Sequence, residues 1–238
     1  MRVNVVCDFD GTIALEDVTD SLLDRFADPS WKQVEAQWLA GQFGSHECMA
    51  RQVSLIRATY EELDRYLDAV QIDPSFPSFV DECEARGNVA LNVVSDGIDY
   101  AVGRILGNHA LSRLRVKANV LIALSDRTYR LDFPHCAPDC RARAGNCKCA
   151  IARKLSTALP SYSPTILIGD GASDFCIASQ VDFVFAKDRL LAHCKANAIA
   201  HLPFSNFFDI ERELAHVIGG LHRSVQSARP FMETPSDA

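Results

Sequence analysis

An apolar run at 3–7 ends abruptly in Asp8-Phe9-Asp10-Gly11-Thr12, which predicts a buried strand closing in a polar turn. From there to residue 69 the apolar positions recur at helical spacing. Segments 17–26, 31–40, 46–57 and 61–69 read as amphipathic helices, with Leu22, Leu23, Phe26, Trp31, Val34, Trp38 and Leu39 on their apolar faces. Thr59 and Glu62 have the spacing of a capping box ahead of the fourth. Asp28-Pro29 and 41–44 are the breaks.

Two prolines within 73–77 mark a change of pattern. Helix and strand then alternate. A helix at 78–86, stopped by Gly87, precedes a strand at 89–94 and a helix at 98–106. Short strands are expected at 114–118, 120–124 and 128–133, then a helix at 149–159 ending at Pro160. A strand at 165–168, a helix at 175–179, a strand at 183–185 and helices at 189–196 and 207–218 follow, with Gly219 and Gly220 as the last stop. Residues 221–238 lack periodicity and read as a flexible tail.

This alternation predicts an α/β fold with a Rossmann-like parallel sheet. The core would be discontinuous, 1–14 with 73–220, and the helices of 15–72 would form an inserted cap over the end of the first strand. Hydrophobic residues make up 48% of the 238 and charged residues 23%, a globular composition. A formal charge of -7 without a basic stripe argues against nucleic acid as a partner, yet leaves room for a small phosphorylated metabolite held by local lysines and a metal. Neither a secretory leader nor an apolar run of membrane-spanning length is present, so a cytoplasmic protein with no membrane partner is expected.

Three apolar strands end in glycine-containing polar turns: Asp8 to Thr12, Ser95-Asp96-Gly97 and Gly169 to Asp174. In an open parallel sheet such strand ends converge on one ligand site. Residues i and i+2 of an extended segment point the same way, so Asp8 and Asp10 share one small volume. Their mutual repulsion calls for a hard cation such as Mg²⁺, which also holds a phosphoryl oxygen. A P-loop and a dinucleotide fingerprint are both missing from the sequence.

The ordered set Asp8-Phe9-Asp10-Gly11-Thr12, Ser95, Lys148 and Gly169-Asp170-Gly171-Ala172-Ser173-Asp174 resembles the haloacid dehalogenase superfamily of phosphohydrolases. Within it, the chain is similar to the branch of phosphoserine phosphatase and the methionine-salvage enolase-phosphate phosphatases. The resemblance implies a hydrolase core with a helical cap and Mg²⁺-dependent phosphomonoester hydrolysis. It implies Asp8 as the nucleophile, forming an aspartyl-phosphate, and Asp10 as the acid and base. The implied metal ligands are Asp8, Asp10 through its carbonyl, and Asp170, with Asp174 a ligand or an orienting group. The backbone N–H of Phe9, Ser95, the N–H of Gly97 and Lys148 would grip the phosphoryl oxygens. Lys154 competes with Lys148 for the motif position, and Thr12 is expected to orient the loop. A phosphomutase and a non-catalytic metal-binding regulatory domain are the alternatives.

His135, Cys136, Cys140, Cys147 and Cys149 have spacings suited to structural Zn²⁺, with free thiols and a labile disulfide as the open alternatives. Glu16, Arg51 and Arg57 are the cap residues expected to read the leaving group, Glu16 because it resembles the early cap glutamate of phosphoserine phosphatase.

Overall fold

The protein is described by a computed structural model covering residues 2–158 and 162–227. Among these residues, seven strands form one sheet in the order β4-β3-β2-β1-β5-β6-β7. They are β1 (Val3–Cys7), β2 (Val89–Ile98), β3 (Arg115–Ser125), β4 (Thr128–Asp132), β5 (Thr165–Gly169), β6 (Phe183–Ala186) and β7 (His201–Pro203). All neighbours are parallel except β3 and β4, an antiparallel hairpin at one edge.

Strand β1 lies at the centre, buried along its whole length between β2 and β5. Alternation along it divides the core: Val3, Val5 and Cys7 join one apolar cluster and Val6 the other. The first cluster takes in α5 (Phe76–Arg86), α6 (Asp99–Asn108) and α10 (Phe207–Ser227). The second takes in α7 (Lys148–Ser156), α8 (Phe175–Ala178) and α9 (Asp188–Ala196). Helices therefore cover both faces, as a parallel sheet requires.

Between β1 and α5 the chain forms α1 (Val18–Phe26), α2 (Trp31–Leu39), α3 (Ser45–Val53) and α4 (Tyr60–Leu67), close to the expected four. Asp17 caps α1 by accepting from Asp20 N–H, and Thr59 with Glu62 forms the expected capping box on α4. The two ends of this insertion are clipped together. Ala14 bridges Ile72, Leu15 N–H donates to the Gln71 carbonyl, and Asp73 N–H donates to that of Ile13.

Four local expectations change. Strand β2 continues through Ser95 and Gly97 to Ile98, because Ile98 still pairs with Asn119 after a register shift. The two short strands at 114–124 are one, held on both sides by β2 and β4. Helix α10 runs through Gly219 and Gly220 to Ser227, since Val217, Ile218 and Leu221 pack on the core and outweigh the low helix propensity of glycine. Strand β7, three residues long, has no counterpart in the periodicity. The helix expected over 149–159 already ends at Ser156, with Thr157 as its cap, while Pro160 and the tail from 228 onward lie outside the described residues. Among the described residues no helix is long and apolar enough to cross a membrane.

Candidate active site

The three central strands bring their carboxyl ends to one point, and the turn leaving each strand supplies part of the site. Asp8 stands directly after β1 with only 5% of its surface exposed. Its Oδ1 accepts from Phe9 N–H at 2.8 Å, and its Oδ2 lies 2.8 Å from Lys148 Nζ. The Phe9 N–H, expected at a phosphoryl oxygen, is thus engaged by Asp8 here.

Lys148 is the first residue of α7, and its ammonium reaches back under the sheet end. It contacts Asp174 Oδ1 at 2.7 Å and Ser173 Oγ at 3.1 Å as well as Asp8. Burial opposes its charge, but Asp174 and Asp8 more than offset this and raise its pKa. Lys154, one and a half turns on, is exposed on the same helix, so Lys148 is the one of the two that the fold places among the strand-end carboxylates.

Asp10 is held separately from Asp8. Its Oδ1 accepts from Val18 N–H at the start of α1, and its Oδ2 accepts from Ser95 Oγ at 3.3 Å. Burial, then the neighbouring Asp17 and Asp8 carboxylates, push its pKa well above the usual carboxylate range. Two carboxylates two residues apart are thereby divided: one pinned by a buried cation, the other biased toward its protonated form. Gly97 N–H donates to Ser95 Oγ at 2.9 Å, so the expected phosphate grip forms one connected turn beside Asp10. Glycine is required there, because a Cβ on residue 97 would lie 2.7 Å from Asp10 Oδ2 and 2.8 Å from Thr19 Oγ1.

Asp8, Asp170 and Asp174 each offer a carboxylate oxygen, all within 4.8 Å of one another. Thr12 Oγ1 donates to Asp170 Oδ1 at 2.8 Å, fixing that carboxylate as the loop-orienting expectation required. Gly11 adopts φ +67°, and a Cβ there would sit 2.6 Å from Asp170 Oδ2. Burial, then Asp8, raises the pKa of both Asp170 and Asp174. Asp174 Oδ2 is buried without a hydrogen-bond partner among the described residues. An orphaned oxygen in an all-oxygen donor set fits a hard divalent cation such as Mg²⁺.

The expected zinc ligands are not gathered. Among the described residues the acidic trio is the one group of three or more metal-ligating side chains that converges, and His135, Cys136, Cys140, Cys147 and Cys149 form none. They lie on a loop and the entry to α7, where the Cys140 and Cys147 side chains touch but Cys136 is exposed and Cys147 buried, and every cysteine is a free thiol.

The cap candidates are also redistributed. Glu16 Oε2 accepts from Ser21 Oγ, which folds its side chain along α1, and Asp17 is the acid beside Asp10. Arg51 pairs with Glu47 and stacks on Phe43, with its guanidinium carbon 4.5 Å from the ring centroid. The Arg57 guanidinium donates to the carbonyls of Ser54 and Ile56. Both arginines are occupied within the insertion. Three further contributors have no assigned role in the motif pattern. Ser173 bridges Lys148 and Asp8, and Asn146 Nδ2 holds the carbonyls of Ser95 and Lys117. Asp96 accepts from Asn146 N–H at 3.0 Å. Their one signal is adjacency, since 96 lies between Ser95 and Gly97, 146 lies two residues before Lys148, and 173 sits inside the last acidic run.

The sequence profile of haloacid dehalogenase-like hydrolases matches residues 5–179. A 2-hydroxy-3-keto-5-methylthiopentenyl-1-phosphate phosphatase of Exiguobacterium sp. is 35% identical over 218 residues, covering 88% of this chain and 96% of the relative. A protein of the same name from Bacillus cereus is 31% identical over 222 residues, covering 92% and 99%. Among solved structures, a phospho-aspartyl intermediate analogue of phosphoserine phosphatase superposes with a TM-score of 0.66 at 20% identity, covering 89% of this chain and 98% of that one. At that identity the likeness is one of fold, and it includes the helices inserted after the first strand.

Proposed function

The chain belongs to the haloacid dehalogenase-like hydrolase family, and on that premise we propose that it is a phosphatase for a small phosphorylated metabolite whose leaving group carries no carboxylate. The observation that carries this reading is the division of labour at the end of β1: Asp8 held by Lys148, Asp10 held apart by α1 and Ser95. Asp8 attacks phosphorus and becomes the aspartyl-phosphate. Asp10 gives its proton to the departing oxygen and later takes one from the attacking water. Lys148, Ser95 Oγ and the N–H groups of Gly97 and Phe9 hold the phosphoryl oxygens, the last exchanging Asp8 for the substrate. Asp8, Asp170 and the Asp10 carbonyl would hold Mg²⁺, with Asp174 beside them. The ion supplies positive charge against the phosphoryl group when bound.

The same reading divides the chain into a core of 1–14 and 73–220, extended by the last turns of α10, and a cap of 15–72. Nine free thiols suit a reducing cytoplasm.

One feature favours a leaving group without a carboxylate over phosphoserine. Arg51 and Arg57 are both engaged inside the cap, so neither is set to receive a substrate carboxylate. The enol phosphate named for the curated relatives meets this demand, and we assign 2-hydroxy-3-keto-5-methylthiopentenyl-1-phosphate as the substrate. With Mg²⁺ present, its kcat/KM should exceed that of phosphoserine by roughly 100-fold or more, because a buried charge without a partner is a strong discriminator. Phosphoserine turned over equally well would overturn the assignment. Recovery of an isomeric phosphate ester in place of inorganic phosphate would indicate a mutase.

A further inference from the structure

The turn that carries Ser95 and Gly97 holds a third polar side chain facing the other way. Strand alternation sends Ser95 and Gly97 toward Asp10 and turns Asp96 outward, under the tip of the cap. One oxygen of Asp96 belongs to the core: Oδ1 accepts from Asn146 N–H at 3.0 Å. The other belongs to the cap: Oδ2 accepts from Ser45 Oγ, in the first turn of α3, at 3.1 Å. Its carbonyl accepts from Asn119 Nδ2, which anchors the turn to β3.

Asn146 extends the connection. Its side chain donates to Ser95 O at 2.6 Å and Lys117 O at 2.7 Å, and two residues later comes Lys148. Asp96 and Asn146 together set the spacing between two groups that grip the phosphoryl unit. The surrounding contacts bring the same two bodies together. His46 N–H donates to Arg143 O at 3.0 Å, and the centroid of the His46 ring lies 3.9 Å from that of Phe133. Gly44 meets the chain at Arg143 so closely that a Cβ would lie 2.3 Å from Arg143 Cβ.

We propose that Asp96 is a positioning residue that latches the cap to the phosphate-gripping turn, with Ser45 as the cap's half of the latch and Asn146 as the link to Lys148. When the cap lifts about the clip at Ala14 and Ile72, Asp96 loses its Ser45 donor. Docking restores that hydrogen bond and sets the Ser95 turn against α7 in the same movement. Substrate that closes the cap therefore also completes its own phosphate grip. The proposal rests on the phosphatase reading above for its kinetic arm alone.

The test combines steady-state kinetics on the enol phosphate and on p-nitrophenyl phosphate with amide hydrogen exchange on the substrate-free protein. Ser45→Ala should raise KM roughly tenfold with kcat within about twofold, the size expected for one hydrogen bond to a carboxylate. Exchange at 43–48 should quicken in the same variant, and Ser45→Thr, which keeps the hydroxyl, should return both to wild-type values. Asp96→Ala should raise KM similarly and also lower kcat, because Asn146 is released. Asp96→Asn should recover most of the loss, since its amide can donate to Ser45 while its oxygen accepts from Asn146. Unchanged KM and exchange in Ser45→Ala would overturn the latch, and so would equal rises in KM in Ser45→Ala and Ser45→Thr. Hydrogen exchange needs no turnover, so a wild type inactive on every phosphomonoester would refute the phosphatase reading and leave the latch to be judged by exchange.

Discussion

Asp8→Asn should abolish phosphate release, with kcat falling by about 10⁴-fold or more, equivalent to roughly 5.5 kcal/mol of transition-state stabilisation. An amide cannot form the acyl phosphate, and the rest of the site offers no substitute. Asp10 is held by Val18 and Ser95, while Asp170 is tied to Thr12. The fold should survive. Asp8 accepts from Phe9 N–H and, through its other oxygen, from Lys148 and Ser173 Oγ; the asparagine oxygen can keep the first while Asp174 and Ser173 retain the lysine. Loss of turnover with an unchanged melting temperature is therefore the expected pair of results. Residual activity near wild type would move the nucleophile elsewhere.

Lys148→Met should damage both activity and stability. The side chain is almost wholly buried, and its ammonium lies between two carboxylates that are themselves buried. Removing it leaves Asp8 and Asp174 facing each other without a cation, a change that costs about 3–5 kcal/mol in buried pairs. It also strips the positive charge from the phosphoryl oxygens, with an expected drop in kcat of about 10²- to 10³-fold. Mg²⁺ should recover part of the lost stability, because its proposed ligands include the carboxylates left unpaired. Denaturant unfolding with and without Mg²⁺, alongside kcat, checks each part. Lys154→Met is the control: its side chain is exposed on α7, so it should change neither quantity measurably. Equal effects in the two variants would undo the assignment of Lys148.

The chemistry of the strand ends is legible in the sequence because it is local. A five-residue run, apolar but for Asn4 and stopped by Asp8 and Asp10, fixes where β1 ends, and strand alternation fixes which side chains meet. The four cap helices are legible for a similar reason, since their apolar faces repeat within one or two turns. The features that escape depend on partners distant in the chain. Asn146 acts on Ser95 across 51 residues and Ser173 on Asp8 across 165, so neither role is written in its neighbourhood. Gly219 and Gly220 look like a stop, and only packing of Val217, Ile218 and Leu221 carries α10 past them. The cysteine spacing from 136 to 149 suggests zinc because spacing is blind to direction; Cys140 and Cys147 do meet, but no third ligand from this segment converges with them among the described residues. Arg51 and Arg57 are plausible readers of a substrate until their own cap partners are visible.

The most direct measurement is to trap and locate the covalent intermediate. Asp10→Asn should be mixed with p-nitrophenyl phosphate and Mg²⁺, quenched in acid within milliseconds to seconds, and mapped by peptide mass spectrometry after borohydride reduction. A good leaving group needs little help from an acid, so Asp8 should still be phosphorylated. The water that removes the phosphoryl group does need the missing base, so the intermediate should accumulate. The expected result is a phosphoryl adduct, reduced to homoserine, at Asp8 and at no other aspartate. An adduct at another residue, or steady turnover without any adduct on Asp8, would contradict the aspartyl-phosphate mechanism.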